Sequence, residues 1–161
     1  NPSSNMRNML AATVYPGIGA IEGTNISVGR GTDTPFEHVG APWIDGVQLA
    51  DALNARAIPG VRFYAVRFTP VSSKYAKEEC QGVFVIVTDR AALRPVRVGL
   101  EIASALARMY ATQFQLDAAA RLFGPKDTLA RAKAGEDPAS IAASWSAAVS
   151  RRFMSPAKKR T

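Results

Sequence analysis

The apolar positions divide the chain by texture. Residues 1–90 carry short runs broken by turn formers, whereas residues 91–153 recur at helical spacing. Within the first part, Pro42-Trp43-Ile44-Asp45-Gly46-Val47-Gln48 opens a helix. Asp45 can accept from the free amides of its first turn, and Gln48 three residues on completes a pair resembling a capping box. Leu49, Ala52 and Leu53 share its inner face until Pro59-Gly60 stops it. Val61, Phe63 and Ala65 alternate with Arg62 and Tyr64 as a half-buried strand does, but the phase slips at Val66 and resumes at Phe68, which predicts a bulge. Gly82 to Thr88 is a continuous β-branched and aromatic run, the pattern of a central strand covered on both faces.

After Pro95, Val98, Ile102, Leu106 and Met109 recur three and four apart and predict a helix with one core-facing stripe. Residues 117–123 and 126–134 read as two short helices parted by Gly124-Pro125. Asp137-Pro138 caps a last helix whose buried face is Ile141, Trp145 and Val149. The expected class is α+β: a small mixed or antiparallel sheet covered by helices, with a helical C-terminal third, in a single domain over residues 1–161. At 161 residues and 47% hydrophobic content the chain can bury a core of its own.

The longest aliphatic and aromatic run, Val83 to Val87, is far short of the roughly 20 residues a spanning helix needs, so no membrane span is expected. Asn1 to Met9 lacks the apolar stretch of a signal peptide. Cys80 is the only cysteine and His38 the only histidine, which excludes an internal disulfide and any multi-cysteine or histidine-rich metal site. No metal or cofactor is expected. The formal charge of +7 suits an anionic partner, but Arg151, Arg152, Lys158, Lys159 and Arg160 concentrate it in a terminal block of the kind that is usually a solvated tail.

The segment from Glu22 to Asp33 (Glu-Gly-Thr-Asn-Ile-Ser-Val-Gly-Arg-Gly-Thr-Asp) has almost no apolar periodicity and is dense in hydrogen-bonding groups. Gly29 and Gly31 permit positive φ and close approach by a ligand, and Arg30 between them can hold a carboxylate through two parallel hydrogen bonds. Thr24, Asn25, Ser27 and Thr32 supply donors and acceptors suited to hydroxyl and acetamido groups. Such a loop can recognise a sugar; it can equally be a polar surface loop that satisfies its own turns. Gly17-Ile18-Gly19 lacks the third glycine of a dinucleotide fingerprint, and Gly29-Arg30-Gly31-Thr32 lacks the lysine and spacing of a P-loop. Trp43 is either a sugar-stacking platform or a core anchor. His38 reads as a structural or solvent-facing residue, with an acid–base or carboxylate-orienting role as the alternative, and Cys80 reads as a small buried hydrophobe.

Several strings together carry a resemblance. They are Val14-Tyr15-Pro16-Gly17, Glu22 through Thr32, Pro35-Phe36-Glu37, Gly40-Ala41-Pro42-Trp43, Cys80-Gln81-Gly82-Val83 and Val87-Thr88-Asp89-Arg90. The chain resembles the exo-β-N-acetylmuramidase family, formerly a family of unknown function, strongly to Arg90 and more loosely afterwards. Pro2-Ser3-Ser4-Asn5-Met6-Arg7 is similar to the family's Pro-Ser-Pro-Asn-Met segment, with Ser4 in place of the second proline. The ending, Arg151-Arg152-Phe153-Met154 running into Ser155-Pro156-Ala157-Lys158-Lys159-Arg160, departs from the family pattern.

The resemblance implies the C-terminal domain of a two-domain enzyme whose N-terminal Rossmann-like domain is absent here. The active-site cleft of such an enzyme lies between the two and releases N-acetylmuramic acid from the non-reducing ends of peptidoglycan fragments. Arg30 is then the expected partner of the sugar's lactyl carboxylate, and Thr24, Asn25 and Thr32 of hydroxyl or acetamido groups, with Asn5 and Arg7 at the domain junction. Ser27, Gly29, Gly31 and Trp43 complete the expected binding set. Glycoside hydrolysis generally uses two carboxyl groups. Glu22 is the candidate for a catalytic or sugar-orienting role, or equally a structural acceptor that holds loop amides, and the principal acid is expected on the other domain, leaving this domain inactive alone. The implied partners are that catalytic domain and muramoyl-containing peptidoglycan fragments, not nucleic acid, and the implied location is the cell envelope, periplasmic or secreted. The competing readings are a non-catalytic glycan-binding module and a basic anion or nucleic-acid binder.

Overall fold

The computed structural model describes residues 7–119 and 127–145. Three strands, β1 (His38–Ala41), β2 (Val61–Phe68) and β3 (Cys80–Val87), form one sheet in the order β1-β3-β2, antiparallel throughout. Four helices accompany it: α1 (Met9–Ile18), α2 (Gly46–Ala55), α3 (Pro95–Met109) and α4 (Thr128–Lys133). Residues 138–145 are also helical. The class is α+β, with helices dominating the described chain after residue 94. No helix among the described residues is long and apolar enough to cross a membrane.

The signals at Asp45 and β3 act as expected. Asp45 caps α2, accepting from the amides of Val47 and Gln48 at 3.0 Å, while the Gln48 amide group returns to its carboxylate at 2.9 Å. β3 is central, with Val83 and Val85 completely buried. Its second face is less covered than expected: Phe84 is half-buried, and Ile86 and its neighbour Tyr64 are exposed, Tyr64 stacking on Phe84 with ring centroids 5.1 Å apart. The helices pack on the other face. No bulge interrupts β2, whose pairing with β3 runs one for one from Val61↔Val87 to Phe68↔Cys80. The phase slip at Val66 reflects the far end of the strand leaving the helix layer, where neither face is fully buried and the alternation loses its meaning.

Helix α1 departs from the expected strands and turns of the first 90 residues. Asn8 caps it, accepting from the Ala11 amide at 2.9 Å. Pro16 lies within its last turn, where the helix ends two residues later regardless. Its Gly17 lies against the first turn of α3 so tightly that a Cβ there would stand 1.9 Å from the Pro95 carbonyl oxygen, and one on Gly99 would stand 2.3 Å from the Gly17 oxygen. That approach helps bury α3 all round from Val98 to Leu106, in place of the single stripe expected from the sequence. Small residues at Gly99, Ala103, Ser104 and Ala105 make the encirclement possible.

One carboxylate lies inside this helical layer. Glu101, on α3, is completely buried and accepts from Arg56 Nε at 2.9 Å and from Arg97 Nη2 at 3.3 Å. Arg56 also holds Asp137, so one guanidinium joins the end of α2, the middle of α3 and the start of the helical residues 138–145. These bonds raise the Arg56 pKa further above its ordinary value, the Glu101 hydrogen bond most of all. Ile141 is fully buried and Trp145 packs on the same core. Val149 and residues 120–126 lie outside the described residues.

Gly17→Ala is expected to lower stability by about 1–3 kcal/mol, the cost of forcing a methyl group into a closed backbone contact. Urea denaturation of the two proteins checks this. An unchanged midpoint would mean that α1 and α3 do not meet at this point.

Candidate functional site

The loop after α1 begins with a 3-10 turn, Gly19–Ile21, and returns to the sheet at β1. Its first half is pinned as an extra edge on β1: Ser27 donates to Gly40 at 2.8 Å and accepts from it at 3.0 Å. Phe36 then donates to Val28 at 2.8 Å, closing residues 29–35 into a compact excursion. Gly29 and Gly31 have φ of 78° and 81°, the left-handed conformation expected of them. A side chain at Gly29 would stand 3.0 Å from the His38 ring, and one at Gly31 would stand 2.4 Å from the Ser72 oxygen. Both glycines are therefore required by close approach as well as by φ.

Arg30 projects between them. Its Nε donates to the Glu22 carboxylate, and its guanidinium carbon lies 4.9 Å from the centroid of the Phe36 ring. Phe36 is buried, braced edge-on by Tyr15 at 4.8 Å, so the aromatic floor is fixed. About a third of each charged side chain remains accessible, 34% for Arg30 and 29% for Glu22. Nη1 and Nη2 of Arg30 have no protein partner among the described residues. The arrangement is a guanidinium held in place along one edge, able to donate from the other to a planar oxyanion.

The remaining expected residues fall into different places. Thr24 and Ser27 are buried and serve the loop itself: the Thr24 hydroxyl donates to the Ile21 carbonyl at 2.7 Å, and Ser27 Oγ accepts from the Gly29 amide at 3.2 Å. Asn25 spans to the chain after α3, donating to the Gln113 carbonyl and accepting from the Gln115 amide, both at 2.8 Å. Trp43 is packed edge-on against Tyr110 at 5.4 Å and donates to the Tyr75 hydroxyl at 3.2 Å, an anchor of the core margin. Thr32 is half-buried, its hydroxyl on the Gly29 carbonyl at 2.7 Å. Arg7 Nη1 lies 3.6 Å from the Asp33 carboxylate. Asn5 lies outside the described residues.

A groove of about 450 Å³ opens beside this loop, lined by Arg7, Gly31, Thr32, Asp33, Phe68 and Ser72 among others. Its far wall is the connection between β2 and β3, residues 69–79, which sequence reading passed over. Ser73, Tyr75 and Lys77 all adopt positive φ there, at 73°, 59° and 69°. For residues other than glycine each such conformation costs roughly 1–2 kcal/mol, so tertiary contacts must hold the segment. They are present. Val71 donates to Gly31 at 2.9 Å, the Tyr75 hydroxyl donates to the Asn25 carbonyl at 2.6 Å, and Lys74 Nζ donates to the carbonyls of Glu22 and, at 2.6 Å, Thr24. Burial lowers the Lys74 pKa; the Glu22 carboxylate opposes that shift and Arg30 adds to it. The signal available in the sequence was a polar Ser72-Ser73-Lys74-Tyr75 run in a connection too long for a tight hairpin turn.

Cys80 and His38 are both buried, so His38 is not solvent-facing. Cys80 is buried, and burial pushes its thiol up to about 11, away from reactivity at neutral pH. His38 is 2% exposed beneath the excursion, its ring nitrogens facing the hydroxyls of Thr34 at 3.1 Å and Thr32 at 3.5 Å. Among the described residues no group of three or more His, Cys, Asp or Glu side chains is placed to hold a metal ion.

The family model described as the C-terminal part of the exo-β-N-acetylmuramidase NamZ matches residues 13–159. The peptidoglycan β-N-acetylmuramidase NamZ of Bacillus subtilis (strain 168) is 45% identical over 114 residues, which are 71% of this chain and 28% of that protein. The chain thus spans little more than a quarter of the length of this curated relative. Two crystal structures of DUF1343 family proteins from Bacteroides fragilis NCTC 9343 share the fold. One superposes with a TM-score of 0.72 at 24% identity over 80% of this chain and 36% of its own. The other has a TM-score of 0.66 at 25% identity over 93% and 40%.

Burial lowers the His38 pKa from 6.5 to about 4. Between these values the unfolded chain binds a proton that the folded chain does not, so the stability present above pH 6.5 is progressively lost as pH falls toward 4, on the order of 3 kcal/mol in all. Because this chain has one histidine, its imidazole resonance in an NMR titration is unambiguous. It should stay neutral through pH 6, and a midpoint near 6.5 would place the ring in solvent.

Proposed function

The chain belongs to the NamZ exo-β-N-acetylmuramidase C-terminal family, and from that premise we propose that it is the sugar-gripping part of a peptidoglycan exo-β-N-acetylmuramidase. In this reading the Glu22–Asp33 loop faces a cleft shared with an N-terminal catalytic domain, and the cleft hydrolyses muramic acid residues from the non-reducing ends of peptidoglycan fragments. The observation that carries the proposal is Arg30: anchored through Nε by Glu22, seated on Phe36, one-third exposed, and with both Nη groups free of protein partners among the described residues. A lactyl carboxylate is the group that distinguishes muramic acid from glucosamine sugars, and a fixed guanidinium edge matches it in shape and charge.

The roles divide accordingly. Arg30 receives the carboxylate, with Thr32 and Arg7 along the neighbouring groove, and Asn5 is a further proposed contact. Thr24, Ser27, Asn25, Gly29, Gly31 and Trp43 give the loop its shape. Glu22, whose carboxylate is committed to Arg30, takes the sugar-orienting role, and the proton donor for the glycosidic oxygen belongs to the N-terminal domain. Phe68 joins the groove to the sheet face on which Tyr64 and Ile86 are exposed, an apolar surface suited to cover by that domain. The substrate implies action at the cell envelope, in the periplasm or outside the cell.

In the full-length protein, Arg30→Ala should weaken binding of N-acetylmuramic acid roughly tenfold to a hundredfold, the usual worth of a charge-assisted hydrogen-bond pair, and leave N-acetylglucosamine within about twofold. Calorimetric titration with the two sugars measures both. Equal losses for the two would contradict a carboxylate clamp.

A further inference from the structure

We propose that Lys74 is the positioning residue of the Arg30 site: by holding the main chain that carries Glu22, it sets the guanidinium edge and with it the preference for a carboxylate-bearing sugar. The inference rests on the reading of this loop as a carboxylate clamp and deepens it.

Lys74 reaches across 50 residues of sequence to donate to the Thr24 carbonyl at 2.6 Å, and it also donates to the carbonyl of Glu22. These are the two carbonyls that flank Gly23, immediately after the residue whose carboxylate holds Arg30. An ammonium has three N–H groups on a flexible stem and can serve two carbonyls that diverge, which a neutral side chain of the same length cannot. The backbone around it leaves little freedom, since Ser73 and Tyr75 on either side hold left-handed conformations and Tyr75 is itself fastened to Asn25. At the other end of the loop Val71 bonds Gly31, so the same connection grips the chain before and after Arg30.

Charge adds a second consequence. Lys74 and Arg30 both lie within electrostatic reach of one another and of Glu22. Two cations about one carboxylate leave the cluster net positive, so Glu22 can orient Arg30 without cancelling the field that an incoming carboxylate meets. Removing Lys74 would leave the Arg30–Glu22 pair neutral and its carboxylate carrier loose.

The test uses the full-length protein as wild type, Lys74→Met, Lys74→Arg, Glu22→Gln and the Lys74→Met/Glu22→Gln double variant. It measures steady-state cleavage of a chromogenic muramoyl glycoside and binding of N-acetylmuramic acid and N-acetylglucosamine. Lys74→Met should raise KM for the muramoyl glycoside roughly tenfold with kcat within about twofold, as expected when ground-state binding is lost. Its affinity loss should be confined to the muramic sugar, Lys74→Arg should restore most of it, and the double variant should lose less than the two single losses combined. Thermal unfolding accompanies each variant; if Lys74→Met does not fold, Lys74→Gln, which is shorter and keeps an amide donor group but no charge, takes its place. A wild-type KM in the neutral variant, equal losses for both sugars, or additive losses in the double variant would each overturn the role of Lys74 alone. Wild-type protein with no preference for the muramic sugar would overturn the clamp and this inference together.

Discussion

Arg30 donates through Nε to Glu22, and that ion pair ties the two ends of a loop whose residues otherwise have no regular secondary structure to order them. Its energy as a part-exposed pair is modest. Its importance is geometric, because it removes the rotational freedom of a long side chain and fixes one edge of a planar cation over the Phe36 ring. Nearby features serve that placement. Gly29 and Gly31 bring the backbone against His38 and Ser72, Asn25 clamps the loop to the chain after α3, and Lys74 fills the space behind it with a donor for two carbonyls.

The scaffold explains why so polar a loop holds one shape. β1 lends it a pair of backbone bonds at Ser27 and Gly40, and β1 is itself paired to the central β3. Behind the sheet, α1 and α3 meet through Gly17 and Gly99, so the helix whose end leads into the loop is set against the most buried helix of the described chain. Strain in residues 73–77 is tolerable only because the loop and this connection bind each other. The loop is thus preorganised by contacts that lie outside its accessible residues.

What could be read from the sequence was what is encoded locally. Asp45 and Gln48 announce a helix start because capping is settled within four residues, and Gly82 to Thr88 announces a central strand because its hydrophobicity has no polar phase. The density of the Glu22–Asp33 loop in hydrogen-bonding groups was equally visible. What escaped depends on distant neighbours. α1 was masked by Pro16 and by Gly17, a glycine present for the approach of α3 and not for a turn. The slip at Val66 suggested a bulge where the real cause is the edge of the helix layer. Thr24 and Ser27 have the chemistry of sugar ligands, and only their burial assigns them to the loop's own bonds. Lys74 was invisible because its partners lie 50 and 52 residues away.

The proposed role of Arg30 depends on where a sugar carboxylate goes when it meets this loop. The most direct measurement is a crystal structure of the full-length protein with N-acetylmuramic acid bound. The proposed clamp puts the lactyl carboxylate on the free edge of Arg30, with oxygens at about 2.7–2.9 Å from its nitrogens and Glu22 still on Nε. A sugar bound away from the loop, or one whose carboxylate is met by other cations while Arg30 keeps only Glu22, would contradict it.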